Sequence, residues 1–306
     1  MGKFLRRSTA VAGLIVVFLV AFGREKAAPT GKWLVRANLQ AHTLHVGRFD
    51  IRYVRKGAGP TVILIHGLAS SIYTWSDVIN LLAEKFDVVA FDLPGFGEST
   101  QPADLAFADY IPAVLGVMKA LDIQKAHFVG NSMGGAISLL MAAREADHVD
   151  RVAVLDSAGF NLGQGDRPFA VKLLGSRAAG LAAENLPVRR MLTNATLRHL
   201  IHDDTRVTDE RINEYLAPIL RPGALDSARS LLASRLDENF TSDMPKIQAR
   251  TLIIWGRFDP WLPEAHADRF VASIKGARKV MLETGHMPQE ELPADVARII
   301  GEFLLS

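Results

Sequence analysis

The clearest candidate for nucleophilic chemistry is the serine in Gly130-Asn-Ser132-Met-Gly134. The motif follows the apolar run at 127–130 and precedes a long apolar stretch, which predicts a strand, a sharp turn and a helix. A serine hydroxyl is a useful nucleophile only when it is held clear of its neighbours and near a base, and such a turn provides this. Gly130 and Gly134 remove side chains that would collide across the turn.

A base and an acid that would complete a catalytic triad follow later, in the order serine, acid, histidine. Asp259 and His286 each stand in the loop after an apolar, strand-like run. Because the carboxyl ends of parallel strands meet at one edge of a sheet, we expect both side chains to lie near Ser132. Asp156 also follows such a run and stays open as the alternative acid.

Two backbone N–H groups are needed to hold the oxyanion of a tetrahedral intermediate. One candidate is the N–H of Met133, directly after the nucleophile. The other is the N–H of Leu68, in the sequence His66-Gly67-Leu68 after an earlier apolar run, where Gly67 permits the backbone to turn. His66 is a further catalytic candidate, although a histidine before the donor loop is more often a structural hydrogen-bonding residue.

The frame that must position these groups is predicted by short apolar runs that alternate with helical stretches from about residue 42. Thr61–Ile65 and Asp87–Phe91 are continuously apolar after their first residues, as strands buried on both faces of a parallel sheet should be. His42–Val46 and Ile51–Val54 alternate more, which favours an antiparallel edge hairpin. Repeated strand–helix units predict an α/β fold.

This alternation is interrupted in the second half of the chain. From about residue 160 to residue 245 only helical stretches with proline and glycine punctuation appear, and strand signals return at Thr251–Trp255. We therefore predict a core formed by residues 41–159 and 246–306, with a helical insertion over residues 160–245.

Composition excludes several functional classes. The net charge of +2 and the scattered arginines argue against a nucleic-acid partner. The absence of cysteine excludes thiol catalysis, disulfides and Cys-ligated metals. Nothing in the sequence implies a metal ion or an organic cofactor.

The N-terminal residues 1–40 differ from the rest. Three basic residues within the first seven precede Ser8–Gly23, an uncharged stretch of 16 residues. As a helix it would span roughly 24 Å, against roughly 30 Å for the hydrocarbon core of a bilayer. We predict a signal anchor with an exported catalytic domain, or alternatively a cleaved signal peptide and secretion, followed by a linker over residues 24–39.

From about residue 42 to its end, the chain resembles the α/β-hydrolase superfamily. The matching blocks occur in the expected order and are His66-Gly67-Leu68, Asp92–Ser99, Gly130–Gly135, Trp255–Asp259 and Gly285-His286. The resemblance implies an eight-stranded, mostly parallel sheet, and a cap domain formed by the helical insertion. It also implies a triad of Ser132, Asp259 and His286.

Within the superfamily, Ser132 argues against haloalkane dehalogenases and epoxide hydrolases, which use an aspartate nucleophile. Gly-Asn-Ser-Met-Gly-Gly is also typical of hydrolases that cleave carbon–carbon bonds of aromatic ring-fission products. Those usually carry tryptophan after the catalytic histidine, where this chain has Met287. We therefore predict a lipase or carboxylesterase acting on a small-molecule or lipid ester, such as an acylglycerol. The alternatives are carbon–carbon bond hydrolysis of a vinylogous diketone and a non-catalytic binding member of the fold.

Overall fold

The computed structural model describes residues 30–160, 186–234 and 240–306. Its strands form one sheet in the order β1-β2-β4-β3-β5-β6-β7-β8. The strands are β1 (Ala41–Val46), β2 (Phe49–Lys56), β3 (Thr61–Ile65), β4 (Asp87–Phe91), β5 (Ala126–Asn131), β6 (Val149–Leu155), β7 (Arg250–Gly256) and β8 (Arg278–Leu282). Strand β2 runs antiparallel to both of its neighbours, and the pairings of β3 to β8 are parallel. The predicted mostly parallel eight-stranded sheet is confirmed.

The α-helices lie before, between and after these strands. They are α1 (Lys32–Arg36), α2 (Ser76–Leu82), α3 (Tyr110–Ala120), α4 (Met133–Arg144), α5 (Leu186–Leu200), α6 (Asp209–Ile219), α7 (Ala224–Ala233), α8 (Phe240–Asp243), α9 (Ala265–Ser273), α10 (Pro288–Glu291) and α11 (Pro293–Leu305). The predicted edge hairpin is also present, since β1 and β2 pair antiparallel around a turn at Gly47, whose φ is 58°.

The sequences of the central strands are continuously apolar because helices cover both faces of the sheet. Successive side chains of a strand point to opposite faces. In β3, Ile63 and Ile65 belong to the core under α3, α4 and α9, whereas Val62 and Leu64 belong to the core under α2 and α11. Strands β4 and β5 are buried along their whole length. The sheet is thus a rigid platform whose carboxyl edge carries the candidate residues.

The insertion predicted over residues 160–245 is helical where the structure describes it. Helices α5, α6 and α7 account for most of residues 186–234, while residues 161–185 and 235–239 lie outside the described part. Helix α6 begins with a side-chain N-cap, because the Thr208 hydroxyl accepts a hydrogen bond of 3.2 Å from the N–H of Arg211.

The structure describes only the last part of the N-terminal segment, from residue 30 onward. The predicted anchor or signal peptide lies in residues 1–29, outside the described residues, and stays a prediction. Among the residues that are described, no helix combines the length and apolarity required to cross a bilayer. Within the segment predicted as a linker, Lys32–Arg36 forms helix α1. Trp33 is buried there against Tyr73, with ring centroids 5.8 Å apart, and this contact stabilises a helix too short to form alone.

Candidate active site

Ser132 occupies a strained turn between β5 and α4. Its backbone has φ 54° and ψ −117°, a conformation that residues other than glycine rarely adopt. The two flanking glycines make this turn possible. A Cβ atom on Gly130 would lie 2.2 Å from the carbonyl oxygen of Gly134, and one on Gly134 would lie 2.2 Å from that of Ile65. The sequence motif therefore reflects close backbone packing around the candidate nucleophile.

The loop after β3 lies directly against this turn. A Cβ atom on Gly67 would lie 3.0 Å from the Cβ of Ser132. The N–H groups of Leu68 and Met133, on the two sides of the serine, donate no hydrogen bond to any residue that the structure describes. For Met133 this follows from its place at the start of a helix, where first-turn N–H groups lack intrahelical acceptors. Both predicted oxyanion donors are thus placed beside Ser132 and unengaged.

His66 is structural. It is fully buried, its Nδ1 donates to the carbonyl oxygen of Gly67 at 2.8 Å, and its Nε2 accepts from the N–H of Leu93 at 2.9 Å. Burial lowers the pKa of His66, against the opposing charge of Asp92. A neutral imidazole with both nitrogens occupied fixes the shape of the donor loop and has no free atom for proton transfer.

His286 and Asp259 form a closely hydrogen-bonded pair after β8 and β7. The Nδ1 atom of His286 lies 2.7 Å from Oδ2 of Asp259, and both side chains are almost fully buried. The other oxygen, Oδ1, accepts hydrogen bonds from the N–H groups of Trp261 at 2.7 Å and Leu262 at 3.0 Å. An ionised Asp259 accepts a hydrogen bond from Nδ1–H of His286. The proton therefore stays on Nδ1, and the lone pair of Nε2 is free to act as a base.

The electrostatics of this pair keep the acid ionised. Burial by itself would raise the pKa of Asp259. The charge of His286, its hydrogen bond and the N–H groups of Leu262 and Trp261 outweigh this, so the pKa of Asp259 lies below its usual value. The Nε2 atom of His286 is buried and has no hydrogen-bond partner among the described residues. The geometry therefore supplies an oriented, unoccupied base.

Asn131 connects the nucleophile turn to the histidine loop. Its side-chain Nδ2 donates to the backbone carbonyl oxygens of Leu155 and His286, each at 3.1 Å. The N–H of Ser132 also donates to Leu155, at 2.9 Å. Sequence reasoning did not single out Asn131, although an amide at the end of a buried strand, next to the serine, is a usable signal for such a bridge.

Asp156 lies close to the hydrogen-bonded pair of His286 and Asp259, but it is Asp259 that contacts Nδ1 of His286. Ligand atoms of Asp156, Asp259 and His286 all lie within 4.8 Å of one another, which is also compatible with a metal ion. Both oxygens of Asp259 already accept hydrogen bonds, however, and Asp156 Oδ1 accepts one of 2.8 Å from the N–H of Gly256. We interpret the cluster as an acid–base group, because Asp259 is engaged by His286 and by two backbone N–H groups.

Glu291, which no motif in the sequence indicates, connects the histidine loop to the insertion. This buried carboxylate accepts hydrogen bonds from the N–H of Gly285 at 2.7 Å through Oε1. Its Oε2 accepts from the N–H groups of His202 at 3.0 Å and Asp203 at 2.9 Å. The N–H of His286 itself donates to the carbonyl oxygen of Leu200 at 2.8 Å. The insertion thus fixes the backbone of the candidate base.

A second buried acid, Glu290, joins the insertion to the same loop. Its carboxylate accepts from the hydroxyl groups of Tyr215 and Thr74, the latter at 2.7 Å, and pairs with the guanidinium of Arg211 at 2.8 Å. Burial raises the pKa of Glu290, and the charge of Arg211 opposes that effect. Helix α6 is therefore held against α10, which begins two residues after His286.

Comparisons with known proteins agree with this architecture. A family model described as "alpha/beta hydrolase fold" matches residues 60–293. The uncharacterized hydrolase YugF of Bacillus subtilis is 27% identical over 80% of this chain and 89% of its own length. A 2-hydroxymuconate semialdehyde hydrolase of a Pseudomonas species is 30% identical over 81% of this chain and 88% of its own. The crystal structure of a bacterial membrane phospholipase A is similar with a TM-score of 0.74 and 27% identity, covering 89% of this chain and 88% of that one.

Proposed function

The chain belongs to the α/β-hydrolase family, and we propose that it is a serine hydrolase that cleaves carboxylic esters through an acyl-enzyme intermediate. The observation that carries the proposal is the junction of three loops at the carboxyl edge of the sheet. Ser132 stands there in its strained turn, next to the N–H of Met133 and the loop of Leu68, whose N–H groups donate to no described residue, and near a histidine whose tautomer is fixed by Asp259. This set of groups is what acyl transfer through a serine requires.

In the proposed reaction, Nε2 of His286 takes the proton of Ser132 Oγ while Oγ bonds to the ester carbonyl carbon. The N–H groups of Leu68 and Met133 stabilise the oxyanion, and Asp259 stabilises the imidazolium. The imidazolium then gives its proton to the leaving alcohol oxygen as the C–O bond breaks. Water attacks the acyl group with His286 again as base, which releases the carboxylic acid and restores Ser132.

A lipid ester is the substrate class that we favour. Supporting this, one of the similar solved structures is a membrane phospholipase A, and the apolar stretch near the N-terminus would bring the site close to a bilayer. We extend the proposal to membrane attachment through residues 1–29. Flotation of the full chain with lipid vesicles, compared with a chain beginning at residue 30, tests this, and equal flotation of the two would contradict it.

Carbon–carbon bond hydrolysis of a vinylogous diketone is the second candidate. It is favoured by the Asn131-Ser132-Met133 turn, which those enzymes share, and by the 30% identity to a 2-hydroxymuconate semialdehyde hydrolase. Against it stands Met287, which is buried among apolar residues of the insertion where those enzymes usually carry tryptophan.

A substrate panel separates the two candidates. We expect p-nitrophenyl esters of increasing acyl length to be turned over, with kcat/KM for the best ester at least about a hundredfold above that for a ring-fission diketone, the scale on which a shaped pocket discriminates. The measurement is initial rate against concentration for both substrate types. A reversed ratio would assign the site to carbon–carbon bond cleavage.

A further inference from the structure

Asp156 is a buried acid that the proposed mechanism leaves without a role. It is 0% exposed, and it follows β6 in a left-handed conformation with φ 43°, which aspartate tolerates better than most residues. Its Oδ1 is fixed by the N–H of Gly256 at 2.8 Å. Its Oδ2 is buried and has no donor to accept from among the described residues. A fully buried carboxylate would need such a donor.

The surroundings of Oδ2 supply negative charge. The ionisable groups around Asp156 are Asp259, His286 and Glu291, and the nearest atoms of the first two lie within 4.8 Å. Asp259 is ionised, and it is already committed to His286 and to two N–H groups. Two buried carboxylates at this separation would repel each other, whereas one proton between them removes the repulsion and gives the orphaned oxygen a hydrogen bond.

We propose that Asp156 is a neutral carboxylic acid that donates its proton in a hydrogen bond to Asp259, and so positions Asp259 against His286 without adding a charge to the triad. This inference rests on the proposed function, since Asp156 acts here through Asp259 and not on the substrate. Burial and the charge of Asp259 both raise the pKa of Asp156 well above its usual value, against the lowering effect of the Gly256 N–H.

The arrangement matters for the working pH of the base. A second negative charge within about 4–6 Å would raise the pKa of a histidine by about one to three units. A protonated histidine cannot accept the serine proton, so such a charge would narrow the pH range of activity. A neutral Asp156 gives the orientation that a second acid can provide while it avoids that cost.

The test compares the pH profile of kcat/KM for wild type and Asp156→Asn. Asparagine can accept from Gly256 and donate to Asp259, so we expect a loss of less than about tenfold and an acid limb at the wild-type pH. Asp156→Ala removes the donor to Asp259, and we expect it to lower kcat by about ten- to a hundredfold. Asp87→Asn, another buried acid at the opposite edge of the sheet and paired with Arg55, is the matched control.

An acid limb that moves down by one to three units in Asp156→Asn would show that a charge was removed, and would overturn the proposal. Carbon-13 NMR of the carboxyl groups, in protein labelled at aspartate, detects a protonated aspartate directly. We expect one aspartate carboxyl still protonated at pH 7, and its signal to be absent in Asp156→Asn; no protonated aspartate would be equally fatal. The NMR measurement requires neither turnover nor Ser132 as the nucleophile, so the two proposals fail separately.

Discussion

Ser132→Ala is expected to abolish covalent labelling by a fluorophosphonate probe and to lower kcat for the best ester by about 10⁴- to 10⁶-fold. The reason is local. Alanine keeps the backbone turn but removes the hydroxyl oxygen that forms the acyl-enzyme bond in the proposed mechanism. The free N–H groups of Leu68 and Met133 would remain, so a small residual rate above that in water should persist. Mass spectrometry of the labelled peptide and single-turnover kinetics measure both effects.

The matched control is Ser138→Ala. Ser138, six residues after Ser132, is a buried serine of α4 whose hydroxyl donates to the carbonyl oxygen of Gly134 at 2.8 Å. Its removal should leave labelling intact, because alanine is a good helix former and the turn at Ser132 keeps its glycines. Labelling that survives in a folded Ser132→Ala protein would place the nucleophile elsewhere and refute the proposed function.

Asp259→Asn is expected to lower kcat by about 10⁴-fold while the protein stays folded. Oδ1 accepts from two N–H groups, Trp261 and Leu262, so the asparagine oxygen must occupy that position. Its NH₂ group then faces Nδ1 of His286 and donates to it. The histidine proton moves to Nε2, and the base loses the lone pair that would take the serine proton.

The comparison that decides the identity of the acid is Asp259→Asn against Asp156→Asn, measured by kcat at the pH optimum. We expect the large loss only in the first, because Asp259 contacts His286 at 2.7 Å and Asp156 contacts the N–H of Gly256 instead. A collapse confined to Asp156→Asn would transfer the role of triad acid to Asp156. Circular dichroism of both variants checks that each is folded.

The sequence by itself was sufficient to predict the sheet and the turn that carries Ser132. Both depend on local patterns. Continuous apolar runs predict strands buried on two faces, and Gly130 with Gly134 predicts a turn in which a Cβ atom would strike backbone. It also placed Asp259 and His286 at the correct edge, because parallel strands bring their carboxyl ends together.

The residue pattern favoured Asp259 over Asp156 only through the family resemblance, and the tertiary structure showed which acid contacts His286 and which groups hold the histidine loop. Asp156 and Asp259 each follow one of two neighbouring strands, β6 and β7. Which of the two carboxylates contacts His286 depends on how loops that are far apart in sequence pack together. Asp156, for example, is held by the N–H of Gly256, 100 residues away. The same is true of Asn131 and Glu291, whose partners are backbone atoms. A backbone carbonyl or N–H has no side-chain identity, so no residue pattern records that contact. Long-range hydrogen bonds of this kind are set by packing of the whole chain, and the sequence shows only the side chain at one end of each.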